Sequence, residues 1–332
     1  MGAGTVVDMR GWWRDLTDLV LPAECGGCGR PRTVLCAPCR AVLYGAAPGR
    51  VRPVPRPPGL PAVHAAARYG DEVRAVLLAH KERGVLALAG PLGTALAGAV
   101  RSGLAAAGAR TGGVVTGPGP GAGRAAAGAE VPVLLVPVPS GRRAVRARGH
   151  DPARRIALAA AGELRRTGTQ ARVLAVLRQR RFVADQAGLD SRQRLANLAG
   201  ALTVAPGAGR LLEAGPVVLV DDLMTTGASL AEAARAVRAV RVERAERAVR
   251  AEAARAGAYR WPDTGERGFM GATPVYPRAG REGREERTDG TSEGRPGPVR
   301  SGRSRADDDE CRGPVCAAVI AAPPDSFEIN RN

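Results

Sequence analysis

Aromatic residues make up only 3% of this 332-residue chain, lysine occurs once, and there is no sustained apolar run. Each shortage narrows the reading. With so little Phe, Trp and Tyr, a core has to be assembled from Ala, Val and Leu. The 45% hydrophobic content and the length suffice for that in one or two domains. The longest weakly apolar stretch, residues 85–100, is broken by Pro91 and rich in Ala and Gly, so no membrane span is expected. The N-terminal residues carry Asp8, Asp15 and Asp18 without a signal-type apolar centre, so the expected location is cytoplasmic. No GxxxxGK occurs, which excludes a Walker loop.

Lys81 stands alone among 49 basic residues, which exceed 32 acidic ones to give a formal charge of +17. So strong an arginine skew, accompanied by abundant Ala, Gly and Pro, is what coding bias produces. The charge by itself is therefore weak evidence for nucleic-acid binding. The same skew draws attention to Lys81, in the turn-like His80-Lys81-Glu82-Arg83-Gly84. It is either a solvated surface residue or a ligand-facing one.

Four of the six cysteines fall in two CxxC pairs, Cys25-Gly-Gly-Cys28 and Cys36-Ala-Pro-Cys39. Each pair places two thiolates on one tight knuckle, and four sulfurs satisfy tetrahedral Zn2+. With no open ligand position the zinc would be structural; two disulfides are the alternative. Residues 11–21 have the spacing of a short amphipathic helix. Six prolines in residues 46–61 predict a semi-rigid linker that separates a zinc-binding module, residues 1–45, from the remaining domain, residues 62–332.

Beyond the linker, residues 62–69 read as a strand, 71–79 as a helix and 131–138 as a buried strand. The Gly/Ala/Pro-rich residues 108–130 between them predict a flexible insertion. Ser140, Gly141 and Arg143 follow the strand end, where a small-residue turn with arginines suits pyrophosphate. From Arg142 to Arg181 there are twelve arginines and two acids, either a solvated basic face or a surface for a polyanion. Asp151-Pro152 is an N-cap with Pro at the first helical position and starts a helix to about Arg166, while His150 reads as a loop residue. A strand over 173–177 follows. Gln186, Arg194 and Asn197 then lie in a polar stretch that reads as a hood over a site.

The most informative stretch is Val217 to Leu230, VVLVDDLMTTGASL. Its first four residues read as a strand buried on both faces, and Asp221 and Asp222 mark the carboxyl end, where ligands sit in an open α/β sheet. Met224, Thr225, Thr226, Gly227, Ala228 and Ser229 then lead into a helix, bringing hydroxyls and N–H groups to a helix N-terminus suited to a phosphate. The carboxylates suit sugar hydroxyls and Mg2+.

This stretch resembles the signature of the type I phosphoribosyltransferases, which bind phosphoribosyl pyrophosphate (PRPP). Together with the double CxxC, the Lys81 turn, Val136-Pro137-Val138-Pro139, the Arg148-Gly149 segment and Gln186-Ala187-Gly188-Leu189, the chain resembles the competence-associated ComF family over residues 11–240 apart from 108–130. It departs from that family at His150-Asp151-Pro152, where Phe-Asn-Gln is usual, and at Val183, where threonine is usual. The resemblance implies a parallel α/β sheet flanked by helices, a small N-terminal zinc module and disordered insertions. It also implies PRPP and Mg2+ as ligands, with Asp221 and Asp222 on ribose and Mg2+, residues 224–229 on the 5′-phosphate, and Ser140, Gly141 and Arg143 on pyrophosphate. Two activities are compatible with it: phosphoribosyl transfer to a nitrogenous acceptor, or a non-catalytic partnership with single-stranded DNA or a DNA-uptake helicase. Residues 241–312 carry sixteen basic and fourteen acidic side chains and read as a largely disordered insertion, after which 314–322 supplies a closing strand.

Overall fold

In the computed structural model, residues 24–111, 131–181, 190–258 and 315–328 are described. The expected helix at 11–21, Gln186 with the rest of residues 182–189, and most of the two expected insertions lie outside them.

The described residues are organised around a six-stranded sheet. Its strands are β1 (Gly49–Val51), β2 (Val63–Arg68), β3 (Val133–Pro137), β4 (Ala171–Val173), β7 (Val217–Leu223) and β8 (Val315–Ala322), in the order β1-β2-β8-β7-β3-β4. All pairings are parallel except β1 on β2. A separate antiparallel pair joins β5 (Leu177–Gln179) to β6 (Leu202–Val204). The residues expected as one strand at 173–177 are therefore shared between two sheets, β4 ending at Val173 and β5 beginning at Leu177. Within the Pro-rich stretch, Gly49–Val51 forms the edge strand β1, and Val51 and Leu60 are buried.

Strand β8 lies at the centre of the sheet, with Val319 between Ala65 of β2 and Asp221 of β7. Seven of its eight residues are buried, which is why its sequence is an unbroken run of small apolar side chains rather than an alternation.

Helices cover both faces: α1 (Ala37–Tyr44), α2 (Asp71–Lys81), α3 (Ala89–Thr111), α4 (Arg142–Arg148), α5 (Pro152–Arg166), α6 (Ser191–Leu198) and α7 (Ala228–Ala258). Because side chains alternate along a strand, β7 divides its apolar residues between two cores. Val218 and Val220 join Leu135 and Ile320 against residues of α2, α3 and α5, among them Val76, Leu92, Leu96 and Ile156. Val217 and Leu219 join Leu134 and Val319 against Ala233, Ala234 and Val237 of α7 and Leu202 and Val204 of β6. At the α3–α5 crossing the helices approach so closely that a Cβ on Gly93 would sit 2.5 Å from that of Ala159. Helix α5 begins as its sequence predicts, with the Asp151 Oδ1 accepting from the N–H of Arg154 and Pro at the first position.

By contacts, residues 1–246 and 310–332 form one unit and residues 247–309 a second, of which only the last turns of α7, residues 247–258, are described.

Candidate functional site

Parallel strands bring their carboxyl ends to one edge, and there β7 ends in Asp221 and Asp222. The strand period points them to opposite faces. Asp222 lies on the side of α2 and is buried; its Oδ2 receives the Lys81 Nζ at 2.8 Å. The Lys81 side chain is 35% exposed and that of Asp222 10%. Asp221 is half-buried, and its Oδ1 accepts from the N–H of Asp222 at 2.9 Å. Burial, then the neighbouring Asp222 charge, pushes the Asp221 carboxyl well above the ordinary carboxylate range, against the pull of Lys81. Burial alone would lower the Lys81 ammonium, but Asp222 and Asp221 together raise it, so it is charged at neutral pH.

The loop after β7 turns at Gly227, whose φ of 74° is a conformation that suits glycine. A Cβ there would also come within 3.0 Å of Leu60 Cδ2. Residue 224 differs from the rest of the loop: Met224 is buried and its N–H donates to Ala321 O at 3.0 Å. Thr226 Oγ1 accepts from the N–H of Ala228, which opens α7. The N–H groups of Thr225, Thr226 and Gly227 make no hydrogen bond among the described residues. Thr225 is exposed, and Thr226 and Ser229 are half-buried. The loop thus offers hydroxyls and free donors at the start of a long helix.

Beside it, β3 pairs with β7 through Pro137 and Val220, and Val138 N–H donates to Val220 O at 2.9 Å. This register delivers Pro139, Ser140 and Gly141 next to the acid pair. The Ser140 N–H is already engaged by Asp151 Oδ2 at 3.4 Å, leaving its hydroxyl available. Arg143 is exposed on α4. On α6, Arg194 is half-buried with its Nε unpartnered, and Asn197 accepts through its carbonyl from Arg181 at 2.8 Å.

Lys81 is the last residue of α2 rather than part of a turn, and its neighbours are equally engaged. Arg148 holds Glu82 through two hydrogen bonds of 2.9 Å. The buried His80 ring meets that of His150 edge-on at 5.7 Å between centroids, and neither Nε2 has a partner. Burial first, then the His150 and Arg155 charges, lower the His80 pKa to about 4 against the opposing pull of Asp222. The sequence reading missed His80, Glu82 and Arg148. Scarcity was the available signal for the first, since the chain has three histidines as well as one lysine.

Cys25, Cys28, Cys36 and Cys39 bring their sulfurs within 4.8 Å of one another. A small hairpin makes the first knuckle, with Cys25 N–H donating to Arg30 O and Glu24 bridging to Pro31; the second knuckle opens α1. Four thiolates around tetrahedral zinc at about 2.3 Å lie roughly 3.8 Å apart, and Cys28 and Cys36 sulfurs are 3.6 Å apart. All four are free thiols, and their arrangement fits a closed metal site. Burial raises Cys25, but the N–H groups of Cys36, Cys28 and Gly27 outweigh it and bring the thiol down to about 6, which favours the ligating thiolate. Burial and the neighbouring sulfurs push Cys39 upward. The group could hold a zinc ion. It packs into the same core as α2: a Cβ on Gly26 would meet Leu88 Cδ1 at 2.7 Å, and one on Gly27 the Cys39 sulfur at 2.7 Å.

No family model matches the chain, and no curated protein sequence matches it. What the chain's architecture defines is a mixed α/β protein with a mostly parallel sheet flanked by helices, an acid pair at the carboxyl edge and a four-cysteine cluster. No helix among the described residues is long and apolar enough to cross a membrane.

Proposed function

We propose that this chain is a type I phosphoribosyltransferase-like protein of the ComF kind, acting in the cytoplasm and binding PRPP at the carboxyl edge of its sheet. One juxtaposition carries the reading. Asp221 and Asp222, the donor-rich loop 225–229, and the Ser140-Gly141 turn with Arg143 in the first turn of α4 all follow the ends of two hydrogen-bonded parallel strands. The loop suits the 5′-phosphate through its unpartnered N–H groups and the hydroxyls of Thr225, Thr226 and Ser229. Asp221, half-buried at the strand end, suits the ribose hydroxyls. Arg143 and the Ser140 hydroxyl suit pyrophosphate. The zinc held by the four cysteines is structural in this reading.

In such a transfer the bond from the anomeric carbon to the pyrophosphate oxygen breaks with its electron pair leaving on pyrophosphate. The acceptor nitrogen forms the new bond from its lone pair and afterwards loses a proton to solvent. Positive charge develops on the ribose ring, so the protein's task is positioning and electrostatics. Mg2+, when bound, neutralises pyrophosphate oxygens; the carboxylate oxygens of the acid pair are of the hard type it prefers. In this reading the acceptor brings its own nucleophilicity.

The test is calorimetric titration of PRPP with Mg2+ into the zinc-loaded chain, beside the Asp221→Asn/Asp222→Asn double variant. Binding by wild type that the variant loses is the expected result. A folded wild type that binds no PRPP would sink the reading. The second reading, a non-catalytic partner of single-stranded DNA or a DNA-uptake helicase, would then gain from the exposed arginines Arg142, Arg143 and Arg146.

A further inference from the structure

We propose that Lys81 is a ligand-binding residue, held by Asp222 so that its ammonium meets the pyrophosphate end of a phosphoribosyl diphosphate; this rests on the reading above.

Three consecutive residues at the end of α2 are each tied to another element. His80 packs on His150, Lys81 reaches Asp222 on β7, and Glu82 takes both hydrogen bonds from Arg148. The segment carrying Arg148 and His150 continues to Asp151, whose Oδ2 accepts from Ser140 N–H in the turn after β3. The helix end is thus connected to the candidate pyrophosphate turn on one side and to the acid pair on the other. Lys81 belongs to that helix end.

Its environment is poorly explained by stability alone. A half-exposed ion pair returns little, and burying Asp222 is costly; an apolar pair would serve the core better. An ammonium has three N–H donors, and Asp222 takes one. The Lys81 ammonium makes no other hydrogen bond among the described residues, and its side chain is 35% exposed, which leaves two donors for a ligand.

The choice of residue points the same way. Wherever the described chain grips a carboxylate with two hydrogen bonds, at Glu82, Glu232 and Glu213, the cation is arginine: Arg148, Arg235 and Arg244. At the acid pair alone it is the single lysine of a chain with 49 basic residues. A compact point charge leaves room for a second anion beside Asp222, where a planar guanidinium forked onto the carboxylate would fill it.

The experiment separates the two ends of the ligand. Inorganic pyrophosphate and ribose 5-phosphate, each with Mg2+, are titrated into the full-length zinc-loaded wild type and Lys81→Gln, with folding checked by circular dichroism. The expected result is a loss of at least ~10-fold in pyrophosphate affinity with ribose 5-phosphate within ~2-fold of wild type, as for removal of a charged hydrogen bond at one end only. Unchanged pyrophosphate affinity would overturn the assignment of Lys81 while leaving the PRPP reading intact. Equal losses for both probes would mark Lys81 as purely structural and overturn it as well. If wild type binds neither probe, the PRPP reading falls and takes this inference with it.

Should Lys81→Gln fail to fold, wild type alone decides. Lys81 is the only lysine, so acetylation at a side-chain amine is read by mass spectrometry on one peptide. Pyrophosphate with Mg2+ should slow that acetylation several-fold; an unchanged rate overturns the proposal.

Discussion

Acid should destabilise this protein through His80 at pH values where an ordinary carboxylate is still ionised. The ring is 1% exposed and its Nε2 has no partner. Burial, His150 and Arg155 disfavour its charged form, and Asp222 only partly compensates, so its pKa falls from 6.5 to about 4. A depressed folded-state pKa means that the unfolded chain binds the proton more readily. The stability associated with the neutral ring is therefore complete above pH 6.5 and is lost as the pH falls toward 4. Between pH 7 and pH 5 the unfolded chain gains about three-quarters of a proton at this site and the folded one gains little. The linkage amounts to about 2 kcal/mol, or a drop in Tm of about 4–8 °C for a protein of this size. Urea unfolding of wild type and His80→Phe at pH 7, 6 and 5 measures it. The wild type should lose about 2 kcal/mol more than the variant over that interval. His150→Phe should keep most of the effect, because burial is its largest cause. Equal pH dependence of wild type and His80→Phe would refute the argument.

Glu232 makes the opposite kind of link. Its buried carboxylate accepts from Leu202 N–H at 2.9 Å and from Arg235 through both oxygens, joining α7 to β6. Burial would raise its pKa, but Arg235 and the Leu202 N–H outweigh it, so the carboxyl lies below its usual 4.5. The stability it contributes is present above that value and lost as the pH falls below it. Glu232→Gln should cost about 1–3 kcal/mol in denaturant unfolding at pH 7 and should flatten the acid limb below pH 4.5; an unchanged midpoint would contradict this. At the cysteine cluster, native mass spectrometry should find one zinc per chain, absent in Cys39→Ser. Chelation should lower the Tm of the whole α/β unit, because the cluster shares a core with Val73, Val76 and Leu88. A chelator that leaves the unfolding curve unmoved would refute that coupling.

Sequence alone determined the features that depend on local pattern. The run Val217 to Val220 followed by two acids can only be satisfied as a buried strand with its polar end at the sheet edge. Asp151-Pro152 carries a helix start in two residues, and two CxxC pairs bring four sulfurs together through short knuckles. Each is specified by neighbours along the chain, so no long-range contact is needed to read it. Tertiary structure decided what depends on residues far apart in sequence. The strand expected at 173–177 was divided because Val173 pairs with Leu135 while Leu177 pairs with Val204, and no local signal marks that change of partner. The run at 314–322 was legible as a buried strand that completes the sheet, but its place as β8 between β2 and β7 is set by registers with Val63 and Val217 and not by its own composition. Lys81 was conspicuous by rarity, yet its partner is a carboxylate 141 positions away, which no local pattern announces. The burial of His80 and the pairing of Glu82 with Arg148 were equally illegible, because the pKa of an imidazole and the partner of a carboxylate are properties of the space around them, and that space exists only once the sheet and helices have packed.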